Sequence, residues 1–346
     1  MTRVRSGRTV DQRYARQRGR GRDATTPIAI PPSGWKDIVW RLYRGIAEDR
    51  ILLTAAGVSF YLLLALVPTL TAFVSIYGLF NNRADVVGHV AFLSGIVPPG
   101  ALGILRDQLT RLTAESNSTL GVTLIVALAL AFWSASAGIK AMFEAMNVAY
   151  HEKERRSLLL VNGLALLFGL GGALSALLVA AVVVLMPQVI TLLPGGKGLE
   201  WVVSIAAYIA MLLVISLGIA ALFRWGPSRE QAKWRWITPG AMLAVVALGA
   251  TSVIFSWYVA NFTDDNATYG SLGAVIGLMI WLWLCSTVVI LGAELNSEIE
   301  HQTARDSTTG VEKPLGKRGA HMADTVGRVW PPARKKVERP ASPKKT

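Results

Sequence analysis

Four histidines could bind a metal or move protons in this chain: His89, His151, His301 and His321. They lie on four separate segments, and none stands in an H-x-H or H-x-E-H pattern, the spacing that puts two groups on one ion. Metal-dependent hydrolysis needs His, Asp and Glu gathered around an ion that activates water. No metal, other cofactor, catalytic set or enzyme activity is therefore expected. The one cysteine, Cys285, lies inside an apolar run, which excludes an internal disulfide and a thiolate zinc site.

The remaining chemistry belongs to charged residues at the ends of apolar stretches. Lys140 and Glu144 are four residues apart, so they share a helix face and can pair. Glu144 and Glu294 each stand near an asparagine, Asn147 and Asn296. A carboxylate at a helix C-terminus opposes the macrodipole. The two glutamates are therefore expected to converge beside a cation, with Arg50, Arg155 and Arg224 on the same side; the competing possibility is a solvated ring of end charges. Glu298, one turn beyond Glu294, is expected nearer water. Tyr269 and Gly270 follow Asp264, Asp265 and Asn266 and open the last apolar run, as a loop cap or an outer site. Pro68 frees a carbonyl near Leu64, giving either a tolerated kink or a hinge on a pathway.

The elements that must position these residues are membrane helices. The chain has 346 residues, 52% hydrophobic and 16% charged, with a net charge of +13 and a mean hydropathy of +0.43. Soluble chains average about 25% charged residues. Six windows hold no Asp, Glu, Lys or Arg: 51–82, 116–139, 157–196, 201–223, 236–263 and 266–293. A span needs about 20 apolar residues, and lipid offers no partner to a bare peptide group, so such runs must be helices. Spans are expected near 52–76, 118–140, 160–186, 201–224, 237–260 and 271–296. A seventh window, 86–105, is broken by Pro98-Pro99-Gly100. Leu102, Leu105, Leu109 and Leu112 after it suggest an interfacial helix near 101–113. Trp35, Ile38, Leu42 and Ile46 suggest another at 35–49. Gly273 with Gly277, the Ala127, Ala131 and Ala135 row, and Gly169, Gly171 and Gly172 are candidate packing seams.

Charge sets the orientation. With the N-terminus in the cytoplasm, 31 of the 35 Lys and Arg fall on the cytoplasmic side and 4 outside, as the positive-inside rule requires. The expected fold is all-α and polytopic, with six transmembrane helices and both termini cytoplasmic. The segments 1–34 and 301–346 are basic, poor in apolar residues and expected to be disordered tails flanking a 35–300 membrane domain. Anionic headgroups are their expected partners, at about 1 kcal/mol per basic residue. Nucleic acid is not, because neither tail interleaves aromatics with its charge.

Three stretches carry a family likeness. They are Ala55-Ala56 with Ser59 to Pro68; Trp133, Gly138 and Met142 to Tyr150; and Tyr269 to Ile276 with Trp281-Leu282-Trp283 and Leu291 to Asn296. Over roughly 35–300 the chain resembles the YihY/BrkB family of bacterial inner-membrane proteins, once labelled ribonuclease BN. The resemblance implies a multi-pass protein of the inner membrane. The scattered histidines argue against the ribonuclease label. The function expected is transporter-like or flippase-like, on an amphipathic envelope molecule. The alternative is a non-enzymatic envelope scaffold or assembly factor, and a membrane-bound ribonuclease ranks last. Membrane lipids are the expected partners, and a homo-oligomer stays open.

Overall fold

The computed structural model describes residues 14–80, 110, 120–192, 196–262 and 270–330. Among them the chain is all-helical, apart from one isolated antiparallel bridge between Ala232 and Thr308. A 3-10 turn, Pro27–Ala29, precedes α1 (Pro32–Glu48). Six long helices follow: α2 (Ile51–Phe80), α3 (Leu120–Ala149), α4 (Leu158–Leu192), α5 (Gly196–Trp225), α6 (Trp234–Phe262) and α7 (Gly270–Glu300), then a short α8 (His321–Asp324). The expected interfacial helix at 101–113 and the loop bearing Tyr269 lie outside the described residues.

Among the described residues, four helices carry stretches long and apolar enough to cross a membrane: Leu158–Ser175, Trp201–Trp225, Trp234–Tyr258 and Val275–Glu300. The pair Pro32–Glu48 and Ile51–Leu66, bent by 60°, adds a fifth if it is one span. The fold is thus that of a multi-pass helical membrane protein. α2 packs on α3 and α7, α3 on α4, α4 on α5, α5 on α6 and α6 on α7, so the long helices close a ring; α3 also reaches α7 across it.

Among the described side chains, packing is concentrated at one end of that ring. Val58 of α2, Met146 of α3, Phe223 of α5, Ile237 and Ala244 of α6 and Ile290 of α7 share one buried core. It lies where α2 and α6 begin and where α3, α5 and α7 finish. Away from it the apolar side chains face outward: Leu167 of α4 is 64% exposed, Trp201 of α5 70% and Val253 of α6 70%. No residue of α5 from Trp201 to Gly218 is buried. Surface this apolar belongs in lipid.

The tight seam is between α6 and α7. A side-chain carbon added at Gly240 would overlap the carbonyl of Gly292, and one at Gly292 would come within 2.6 Å of the carbonyl of Gly240. Of the seams expected from sequence, a side-chain carbon at Gly169 would meet Ile139 of α3 at 3.3 Å, while at Gly171, Gly172 and Gly277 nothing approaches within 4 Å. Small-residue spacing marks what one helix permits, while the partner helix decides which glycine is pressed.

Both basic segments depart from the expectation of disorder over their described parts. Arg22 donates to the carbonyls of Gln302 (2.9 Å) and Gly327 (2.7 Å). The Thr303 hydroxyl donates to the carbonyl of Ala24 at 2.7 Å, and Arg318 donates to those of Ala304 and Ala323, both at 2.6 Å. Ala24, Ile30 and Ile38 cover Trp236 and Ile299. Composition registers few apolar residues in each segment; it does not register that the two satisfy each other. The helix at 35–49 packs its expected apolar face on the protein, with Ile38 buried and Trp35 and Ile46 against the two cores, and it buries polar residues as well. α1 buries Gly34, Asp37, Ile38, Arg41 and Gly45 against the protein, while Val39 and Tyr43 are exposed.

Substituting valine at Gly240 should cost about 1–3 kcal/mol, the usual range for overpacking. Gly277→Ala, in open space, should be neutral. Thermal unfolding of the detergent-purified variants compares them, and equal midpoints would contradict the seam.

Candidate functional site: a buried polar layer at the closed end

The last two turns of α7 place Glu294, Asn296, Ser297, Glu298 and Glu300 in the interior. Isolated burial of a carboxylate costs several kcal/mol, so each needs a partner. Glu298 has Arg41 of α1, whose Nε donates to its carboxylate and whose second terminal nitrogen donates to its carbonyl at 3.0 Å. Glu300 has Arg229 at 2.7 Å, with both side chains sealed from solvent, and accepts from the Ser307 hydroxyl at 2.8 Å. Arg229 also lies 4.4 Å over the Tyr150 ring. Asp37 takes Arg20 at 2.6 Å and the Trp330 amide at 2.7 Å.

The sequence candidates separate. Asn296 accepts from the Gly240 amide at 2.7 Å and donates to the Ile237 carbonyl at 2.9 Å, so it clamps the first turns of α6 onto α7. Asn147 accepts from the Ser228 amide at 2.7 Å and donates to Glu154 at 3.2 Å, tying the loop after α3 to the loop after α5. Lys140 donates to Asn162 of α4 at 3.1 Å and does not pair with Glu144. Glu144 is exposed, whereas Glu294 is fully buried, so the two glutamates share no site. Glu298 is buried and paired rather than nearer water, because the 301–330 segment and α1 cover that end. Pro68 falls inside α2, which runs as one helix through it, and Gly270 is the first residue of α7.

Glu294 has two neighbours that sequence spacing did not suggest. Asp49 ends α1, and His151 follows α3; His151 Nε2 lies 3.2 Å from Asp49 Oδ2. One ligand-type atom from each of Asp49, His151 and Glu294 lies within 4.8 Å of the others. Local sequence had suggested no metal-ligating set; the fold brings these three donor-type side chains together from distant segments. The left-handed backbones of Arg50 (φ 51°) and His151 (φ 53°) are the visible local anomalies, and neither residue is glycine.

Fold and polar layer together define an all-helical membrane protein closed at one end by buried ion pairs. The chain belongs to the Virulence factor BrkB family, whose model matches residues 42–315. The ribonuclease-like protein YfkH of Bacillus subtilis is 29% identical to it, over 70% of this chain and 88% of that protein. A UPF0761 membrane protein of Stenotrophomonas maltophilia is 28% identical, over 75% of this chain and 59% of the relative. Another, from Neisseria meningitidis serogroup B, is 29% identical, over 76% and 63%. The chain thus spans about six-tenths of the length of these UPF0761 relatives. No solved structure matches it.

Two outcomes follow from this layer. Glu298→Gln strips Arg41 of its counter-charge and should lower stability by about 3–5 kcal/mol; Glu144→Gln should not. Thermal unfolding in detergent measures both, and a silent Glu298→Gln would contradict the pairing. Glu154 is held down at about 2 from 4.5, chiefly by its hydrogen bonds from Arg156. A depressed carboxylate stabilises the fold above its unfolded value, so this contribution should fade as pH falls from 4.5 to about 2. The stability difference between the parent and Glu154→Gln should shrink across that window, and a constant difference would refute the assignment.

Proposed function

We propose that this BrkB-family protein is a non-enzymatic carrier of the bacterial inner membrane, with six spans and both termini cytoplasmic, moving an amphipathic envelope molecule across the bilayer. The observation that carries this reading is the one-ended packing. The helices meet in a core at the charged end and leave α5 without a buried residue from Trp201 to Gly218. A ring whose described side chains pack at the charged end and stay exposed along the span beyond it suits one state of an alternating-access carrier. Its exposed walls are apolar, which suits an acyl chain; a headgroup would meet polar groups only near the ends.

In this reading the closed end is the cytoplasmic one. Asn147 and Asn296 lock it, Lys140 and Glu144 lie at its rim, and Pro68 serves as the hinge of α2. Gly270 opens α7 toward the outer side, and the basic termini hold anionic headgroups. The ribonuclease-like name of the Bacillus relative is not carried over. The described His/Asp/Glu group that could hold an ion includes a carboxylate with no exposure to solvent.

Vesicles of phosphatidylethanolamine and phosphatidylglycerol, doped with a fluorescent lipid and bearing the purified chain, test the activity. Dithionite should quench beyond the outer-leaflet half, with both leaflets exchanging faster than in protein-free vesicles. Identical quenching with and without the chain counts against carriage and favours the scaffold role. Impermeant maleimide on intact cells should label Lys197→Cys and leave Lys153→Cys and Lys233→Cys unlabelled in a Cys285→Ser background. The reverse pattern would overturn the orientation. Purified protein should leave RNA intact with Mg²⁺, Mn²⁺ or Zn²⁺; cleavage that vanishes in His151→Ala would make it an enzyme after all.

A further inference from the structure

We propose that Asp49, His151 and Glu294 form a binding site for a first-row divalent cation of the Zn²⁺ class, clamping α1, the loop after α3 and α7 together. The geometry is the first support. The three donor atoms lie within 4.8 Å of one another. Ligands about 2.0–2.2 Å from a tetrahedral zinc stand roughly 3.4 Å apart, so a small inward adjustment brings all three to one ion.

Glu294 is the second, independent support. Its exposure is 0%, and neither carboxylate oxygen has a hydrogen-bond partner. An unpaired carboxylate in a dry interior is among the costliest groups a fold can hold. The other carboxylates of this layer are paired: Asp37 with Arg20, Glu298 with Arg41, Glu300 with Arg229. Arg41 is committed to Glu298 and to the carbonyls of Glu298 and Arg328, so it does not serve Glu294. Space is set aside for the carboxylate on α1, because a side-chain carbon at Gly45 would lie 2.5 Å from Glu294 Oε1. The charges that face Glu294 are the carboxylates of Glu298, itself paired with Arg41, and of Asp49, and neither neutralises it. The two donor carboxylates, Asp49 and Glu294, and a neutral imidazole carry −2, which one divalent cation neutralises.

The donor set selects the ion. One imidazole with two carboxylates suits Zn²⁺, Mn²⁺, Fe²⁺ or Co²⁺ better than Mg²⁺ or Ca²⁺, which favour oxygen alone. Three protein ligands leave a fourth position for water on the His151 side, where the imidazole is 42% exposed. The site straddles the 60° bend between α1 and α2, so an ion there fixes that bend. This role is independent of whether the chain carries lipid.

Full-length protein in detergent, stripped with a chelator, would be titrated with Zn²⁺ by calorimetry and with Co²⁺ by visible absorption. One ion per chain and a higher unfolding midpoint are expected. Glu294→Gln, Asp49→Asn and His151→Ala should each weaken binding about tenfold or more, while Glu144→Gln leaves it unchanged. Glu294→Gln should unfold no lower than the metal-free parent, since it removes an unpaired charge; that comparison separates lost binding from lost folding. No saturable binding to the parent overturns the proposal and leaves a shared proton between Asp49 and Glu294. Undiminished binding to Glu294→Gln overturns it as well.

Discussion

A buried carboxylate must find a positive partner, and α7 buries three of them in its last two turns: Glu294, Glu298 and Glu300. Much of the closed end follows from that demand. Arg41 holds α1 against α7, and Arg229 holds the loop between α5 and α6 against it. Gln302, Thr303 and Gly327 then tie the chain beyond α7 to residues 20–24 and His301. Replacing such pairs by apolar residues often stabilises a protein. What they supply here is register: each arginine has one carboxylate to meet, and the elements that carry them dock in one arrangement.

The rest of the bundle obeys the opposite physics. In lipid, apolar side chains gain nothing by meeting one another rather than acyl chains, so helices hold together by shape and by small residues at their crossings. The Gly240–Gly292 contact is such a crossing, reinforced by Asn296 on the backbone of α6. Over their described side chains α4 and α5 have little of either and stay largely exposed. The molecule therefore combines a charge-paired end with helices whose described apolar side chains face outward.

The aqueous face of the closed end is also more ordered than its basic character suggests. Several of its arginines are not spread toward solvent. Arg22, Arg41, Arg229 and Arg318 turn inward, where carbonyls and carboxylates accept from the planar guanidinium. A lysine, a point charge on a flexible stem, fills such a place less well. Part of the net charge of +13 is thereby structural rather than available to headgroups.

The membrane class, the helices and the place of Asn147, Asn296 and Glu294 near the ends of apolar runs were legible in the sequence by itself. Long charge-free windows allow only helices in lipid, and a polar residue at a span end must find a partner. Both are local facts. Only the tertiary structure decided which partner. Arg41 and Glu298 are 257 residues apart, and Asp49 and His151 are 102 apart. No pattern of period 3.6 or fixed spacing relates them. The glutamates could not be sorted into the paired Glu298, the unpaired Glu294 and the exposed Glu144 without knowing what covers α7. The covering segments read as disordered because few of their residues are apolar, and they order because their hydrogen bonds are to each other. Composition measures what a segment can bury alone; the fold decides what two segments, distant along the chain, can satisfy together.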